Sequence, residues 1–65
     1  MQYAVIIEES EEGFAASVPG LPGCHSQGAT EQEARDNIRE AIREYLEVAK
    51  ELARQSTGRE VLIEV

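Results

Sequence analysis

The amino-acid sequence predicts an α+β fold with the element order β-β-β-α-β. Three observations predict it: a β-branched and aromatic run over 2–8 precedes an alternating apolar pattern over 14–18, one long amphipathic pattern covers 31–56, and a β-branched run occupies 61–65. The chain has 65 residues, enough for one small domain, which we assign to 1–65. A core of this size supplies little stability, so we expect close helix–sheet packing or a partner surface to contribute.

The first two strands form a predicted hairpin. Residues 2–8 are β-branched and aromatic with apolar side chains on both faces, which indicates that both faces are at least partly covered. The acidic run 8–12, ending in Gly13, is typical of a polar connection, and residues 14–18 continue as an antiparallel strand. Two Pro-Gly pairs within 19–23 then predict turns, because proline fixes φ and glycine permits positive φ.

A short third strand is predicted over 24–27. It ends at Gly28, and the helix follows. Thr30 and Glu33 form a capping-box pattern, in which the threonine oxygen accepts the backbone N–H three residues on. Gly58 is the expected left-handed residue just past the helix end. One apolar stripe at helical spacing contains Ala34, Ile38, Ala41, Ile42, Tyr45, Leu46, Ala49 and Leu52.

The last strand, 61–65, is expected to lie beside and parallel to the first. This placement predicts a four-stranded sheet of order 3-2-1-4, with the long helix covering one face. A helix over 31–56 would measure about 39 Å, whereas strands of five or six residues span only about 17–20 Å.

The helix must therefore cross the sheet diagonally or overhang it, and one sheet face stays uncovered. Both features predict self-association as a homodimer or tetramer. The residues expected at that interface are Ala4, Ile6, Ala15 and Leu62 on the open face, with Tyr45 and Leu52 on the overhang.

The charge balance excludes several classes of function. Thirteen acidic against six basic residues give a net charge of -7, which argues against binding a phosphate backbone or an anionic membrane. No apolar stretch is long enough to span a bilayer, and the N-terminal residues lack the basic start of a signal peptide. A lone cysteine cannot form an internal disulfide. The cytoplasm is the expected location.

Cys24 and His25 are the residues to consider first for catalysis or metal binding. Neighbouring residues of a strand point to opposite faces, so the thiol and the imidazole cannot easily meet within one subunit. Two such ligands also fall short of a zinc site. We therefore expect a buried cysteine beside a half-exposed histidine, no catalytic or metal-binding residue, no cofactor and no enzyme activity.

Two other features, the acidic run and Leu21, could bind a partner or could have a purely structural role. The acidic residues Glu8, Glu9, Glu11 and Glu12 would otherwise be a solvated turn that protects a strand edge. Leu21, an apolar residue between two turns, could dock into a partner or a neighbouring subunit. The row formed by Arg35, Arg39 and Arg43 is better explained by ion pairs on the helix surface than by a binding stripe, because acids alternate with these bases.

Four stretches of the sequence carry a family resemblance: Tyr3-x-Val5-x-Ile7-Glu8, Gly13-Phe14-x-Ala16-x-Val18-Pro19-x-Leu21-Pro22-Gly23-Cys24, Gly28-x-Thr30-x-x-Glu33-Ala34 and Asn37-Ile38-x-Glu40-Ala41-Ile42. Together they resemble the HicB-like antitoxin domain over nearly the whole chain. The run 18–24 with the Gly28/Thr30 helix start is its most specific part. The resemblance implies a partial RNase H-like fold and a protein that neutralises HicA, a small basic RNA-cleaving toxin. It also leads us to expect a short form, because the DNA-binding segment typical of these antitoxins does not follow Val65.

Two alternatives stay open. A stand-alone module could associate with itself through its open face and have no toxin partner. A degenerate RNase H-like nuclease would need metal-binding carboxylates, for which Glu8, Glu40 and Glu64 lie in roughly the right elements; fold analogy alone supports that alternative weakly.

Overall fold

The computed structural model of the protein describes residues 2–55, 58 and 61–65. Its elements are three strands and one helix: β1 (Ile6–Ser10), β2 (Gly13–Ser17), β3 (His25–Gly28) and α1 (Glu31–Gln55). The strands form an antiparallel sheet of order β1-β2-β3, and α1 packs mainly on β3 and β2. The α+β class and the order of the first three strands are thus confirmed. The described helix is not long and apolar enough to cross a membrane.

Strand β1 begins later than the β-branched and aromatic run over 2–8 predicts. In the ladder Ile6 pairs with Ser17, so residues 2–5 would have to pair beyond the end of β2. There the chain turns away, because the Val18 N–H donates to the Cys24 carbonyl at 3.1 Å and the Val18 carbonyl accepts from the Leu21 N–H at 3.0 Å. The alternating burial nevertheless continues through Tyr3 and Val5, which pack against the core.

The β1–β2 turn is shorter than the acidic run suggested. Ser10 pairs with Gly13, which leaves Glu11 and Glu12 as the only two loop residues. Gly13 has φ +124°, and a Cβ built on it would lie 2.7 Å from the Gly28 carbonyl oxygen. Only glycine fits this position without strain.

The loop over 18–24 closes on itself. Besides the two bonds of Val18, the Cys24 N–H donates to the Leu21 carbonyl at 2.9 Å. Gly23 adopts the expected positive φ, +83°, whereas Gly20 does not, so only the second Pro-Gly pair uses this freedom. Leu21 is half-buried against the core, and its docking into a partner stays a prediction.

The helix start follows the capping-box prediction. The Glu33 N–H donates to Thr30 Oγ1 at 3.1 Å, and Glu33 Oε1 accepts the N–H of Ala29 at 3.2 Å, one residue before the cap. The described helix ends at Gln55. Part of the predicted stop, residues 56 and 57, lies outside the described residues.

The core is small. Five of the described residues are buried: Ala16, Val18, Cys24, Ala34 and Ile38. Partly buried side chains surround them: Tyr3, Val5, Ile7, Phe14, Leu21, Ala41, Ile42 and Tyr45. Tyr45 is the last helical residue packed against this core, so residues 46–55 extend past the sheet, which is the second of the two arrangements that the sequence allows.

The predicted fourth strand is not formed by the described residues. Residues 61–65 have no strand pairing, and Val61, Leu62 and Ile63 are 60%, 89% and 76% exposed. The sheet therefore has three strands rather than the order 3-2-1-4, and the RNase H-like arrangement is not confirmed. The helix overhang is the physical reason: the chain leaves α1 well beyond the sheet, so the β-prone segment does not reach β1.

Candidate functional site

One end of the molecule is acidic. The turn residues Glu11 and Glu12 lie at the same end as the helix N-terminus, since Gly13 contacts Gly28 and Ala29. We call the exposed carboxylates here the acidic pole: Glu9, Glu11, Glu12, Glu31 and Glu33. A polar groove of about 640 Å³ at this end includes Glu12, Glu33 and Asn37 in its lining.

The acidic residues predicted to bind a partner include Glu8 and leave out the helix acids Glu31 and Glu33. Glu8 pairs with Ala15 and lies on the open sheet face, apart from the pole. Glu31 and Glu33 stand in the first helical turn, where carboxylates suit the helix dipole. The antiparallel topology brings the turn acids and the helix acids together, because the β1–β2 turn and the end of β3 must lie at one end of the sheet.

The open sheet face is more polar than expected. Ile6 is 47% exposed, and Ala4 and Ala15 are exposed on the same side. The other side chains of this face in the sheet are Glu8, Ser10, Ser17, His25 and Gln27. Leu62, expected here, belongs to the segment outside the sheet. The apolar part is thus a small patch, and its role in self-association stays a prediction.

The overhang continues the apolar stripe of the helix. Tyr45 is half-buried, while Val48 and Leu52 are 59% and 63% exposed. These three side chains line a groove of about 430 Å³ that also reaches Cys24 and His25 at the start of β3. The structure therefore brings the predicted interface residues Tyr45 and Leu52 together, and adds Val48, which sequence analysis did not single out.

A second groove, lined by both apolar and charged side chains, lies between β1 and the helix. Its volume is about 370 Å³, and its walls include Tyr3, Val5 and Ile7 from the start of the chain with Ile38 and Ile42 of α1; Glu31, Arg35 and Arg39 complete the lining. We call it the β1–helix groove. It exists because α1 sits over β3 and β2 and leaves β1 half-covered. Local sequence pattern gave no signal for it, because the groove depends on where the helix crosses the sheet.

The basic row on the helix is largely paired with carboxylates of the same helix. Arg35 lies 3.8 Å from Glu31 and Arg43 lies 3.8 Å from Glu40, both as expected. The pairs are exposed, so each contributes little to stability. Ion pairing along the helix surface therefore accounts for most of this row.

Cys24 is buried with a free thiol and His25 is exposed, which agrees with the expected separation of the two side chains. Among the described residues, no three His, Cys, Asp or Glu side chains are placed to hold a metal ion. The set proposed for a nuclease, Glu8, Glu40 and Glu64, is accordingly not assembled in this structure.

The geometry is that of a small α+β domain with an acidic pole and two surface grooves. A family model described as the HicB-like antitoxin of a bacterial toxin–antitoxin system matches residues 3–64. The chain belongs to this HicB-like antitoxin family, which confirms the resemblance found in the sequence and supports an antitoxin role.

Curated relatives cover most of the chain. A UPF0150 protein of Thermoplasma acidophilum is 53% identical over 51 residues, 77% of this chain and 74% of the relative. A UPF0150 protein of Archaeoglobus fulgidus is 45% identical over 51 residues, with the same coverage. A UPF0150 protein of Synechocystis is 52% identical over 46 residues, 69% of this chain and 58% of the relative. No solved structure matches the chain significantly.

Proposed function

We propose that the protein neutralises a small basic RNA-cleaving toxin of the HicA type by binding it directly. Membership of the antitoxin family supports a toxin partner in general. The acidic pole is the observation that carries the choice of a basic partner, because no lysine or arginine precedes Arg35 in the sequence. Both proteins would act in the cytoplasm, where RNA cleavage takes place.

The acidic pole would act in two ways. Its carboxylates attract a basic surface and so speed the encounter, an effect that weakens as salt rises. Once bound, these carboxylates occupy the basic surface of the toxin to which RNA phosphates would otherwise bind. Exposure suits this role, because Glu11 and Glu12 are solvated on a two-residue turn and make no ion pair among the described residues.

The test uses the HicA-type protein encoded beside this chain, where the genome has one. We expect a stable complex and protection of RNA from cleavage. The double variant Glu11→Lys/Glu12→Lys should bind at least about tenfold more weakly, with a smaller dependence on salt. The matched control, Glu47→Lys/Glu51→Lys, makes the same change in net charge on the exposed helix overhang and should bind like the wild type.

Two results would contradict the proposal. One is the absence of both a complex and RNA protection with the wild-type protein. The other is equal weakening by the two double variants, because net charge rather than the acidic pole would then control binding.

Self-association is a second proposal, with or without a toxin. The exposed apolar residues Val48 and Leu52 on the overhang, together with Val61, Leu62 and Ile63, favour it. Small domains with modest cores commonly gain stability by oligomerising. Light scattering of the wild type and of Ile6→Glu tests it: a wild-type monomer would contradict the proposal, and a dimer in both would remove Ile6 from the interface.

A further inference from the structure

We infer that two copies of the chain exchange their VLIEV segments (residues 61–65), each segment adding a strand to the β1 edge of the other copy. This inference deepens the self-association proposed above by naming the segment and the site that receives it. Three observations carry it: the exposure of the segment, the shape of the β1–helix groove and the length of the chain between α1 and the segment.

The segment has the alternation of a half-covered strand. Val61, Ile63 and Val65 would point to one face, and Leu62 and Glu64 to the other. In the structure all five residues are exposed. Leaving this much branched apolar surface in water is costly, since burying one such side chain contributes roughly 1.5–3 kcal/mol.

The β1–helix groove complements this pattern. β1 is an edge strand of the described sheet, so its outer backbone groups are available for pairing. A strand added there would direct Val61, Ile63 and Val65 towards Val5 and Ile42 in the groove. Leu62 would then join Ile6 on the open face, which would enlarge the small apolar patch found there.

The connection favours a second copy as the donor. Residues 46–55 carry the chain about 15 Å beyond Tyr45 at 1.5 Å per residue. The six Cα–Cα steps from Gln55 to Val61 reach at most roughly 20–22 Å when fully extended. To reach its own β1, the chain would have to return along the helix, pass from the helix layer to the sheet layer and move sideways to the edge. The extended length of the chain from Gln55 to Val61 is barely enough for that path.

Two copies related by a two-fold axis avoid this strain. Each overhang would then extend towards the partner, and each segment would pair without turning back. The same approach would cover Val48 and Leu52, which a pairing within one chain leaves in solvent. The exchange therefore accounts for both exposed apolar regions at once.

Cysteine crosslinking distinguishes exchange between chains from pairing within one chain. Cys24 is replaced by Ala, and Ile6→Cys and Leu62→Cys are introduced in separate preparations, since both positions are exposed. The preparations are unfolded, mixed, refolded and treated with a short bismaleimide. We expect a covalent heterodimer, with about half of the refolded dimers being mixed. Either preparation treated alone should give much less crosslinked product.

A doubly substituted chain carrying Ile6→Cys and Leu62→Cys is the complementary sample. Crosslinked products that remain at monomer mass would overturn the exchange, because they would show pairing within one chain. A wild-type dimer whose mixed preparations do not crosslink would also overturn the exchange while leaving self-association intact. A wild-type monomer would refute both.

A pair of charge variants provides the second measurement. Ile63→Lys places an ammonium group in the groove beside Arg35 and Arg39 and should shift the mass from twice 7.2 kDa to 7.2 kDa, raising the dimer Kd by at least about 100-fold. Glu64→Lys, on the opposite face of the same segment, is the control and should remain dimeric. Dissociation of both variants or of neither would contradict the predicted orientation of the segment.

Discussion

We expect different effects from the same substitution at two glycines: Gly13, directly after the β1–β2 turn, and Gly20, in the loop over 18–24. Gly13→Ala forces a side chain into φ +124°, where its Cβ would meet the Gly28 carbonyl oxygen at 2.7 Å. A strained backbone of this kind costs about 1–3 kcal/mol, before any cost of moving β3 away. A chain of 65 residues has a free energy of unfolding of only about 3–10 kcal/mol, so the variant should lose a large part of its stability.

Gly20→Ala is the matched control, because a Cβ there meets nothing within 4 Å and φ is not positive. This variant should be neutral or stabilised by about 0.4–1 kcal/mol, since alanine restricts the unfolded chain. Urea unfolding followed by far-UV circular dichroism measures both. All samples need the same protein concentration, because the stability of any self-associating protein depends on its concentration. Equal midpoints for the two variants would refute the argument from backbone conformation and close approach.

Two further substitutions test the helix and the core. Thr30→Ala removes the oxygen that accepts the Glu33 N–H at 3.1 Å and should lower the free energy of unfolding by about 0.5–2 kcal/mol; Thr30→Ser should retain most of it, and equal losses would show that the cap hydrogen bond is not responsible. Ile38→Ala empties space beside Ala34 in the core and should cost about 2–5 kcal/mol, against about 0.5–1.5 for Ile38→Val. Thermal and urea unfolding check both pairs, and a small loss for Ile38→Ala would mean that the groove beside it collapses readily.

Local signals in the sequence predicted the parts of the fold that depend on neighbouring residues. The Thr30–Glu33 cap, the helical stripe and the alternation from Tyr3 to Ile7 each involve contacts over a few positions, and the structure contains all three. The position of β1 was less predictable. Its start is set by where Val18 turns to bond Cys24, which a strand pattern in residues 2–8 cannot reveal.

The candidate site depended on longer-range geometry. The acids of the hairpin were visible in the sequence, but their meeting with Glu31 and Glu33 follows from the topology. The β1–helix groove follows from the lateral position of the helix on the sheet, which no local pattern sets. The same holds for residues 61–65: their alternation indicates a strand, whereas the length of the helix determines which edge the segment can reach.

The burial of Cys24 gives the protein a built-in reporter. The residue is 5% exposed, and its backbone N–H and carbonyl are both bonded within the loop over 18–24. A thiol reagent can therefore react only when this loop lifts from the helix. The rate of modification, compared with that of the unfolded chain, measures the free energy of that opening in the unmodified protein. Because Cys24 lines the same groove as Val48 and Leu52, a partner seated there would slow the reaction, so one thiol reports both core opening and occupation of the groove.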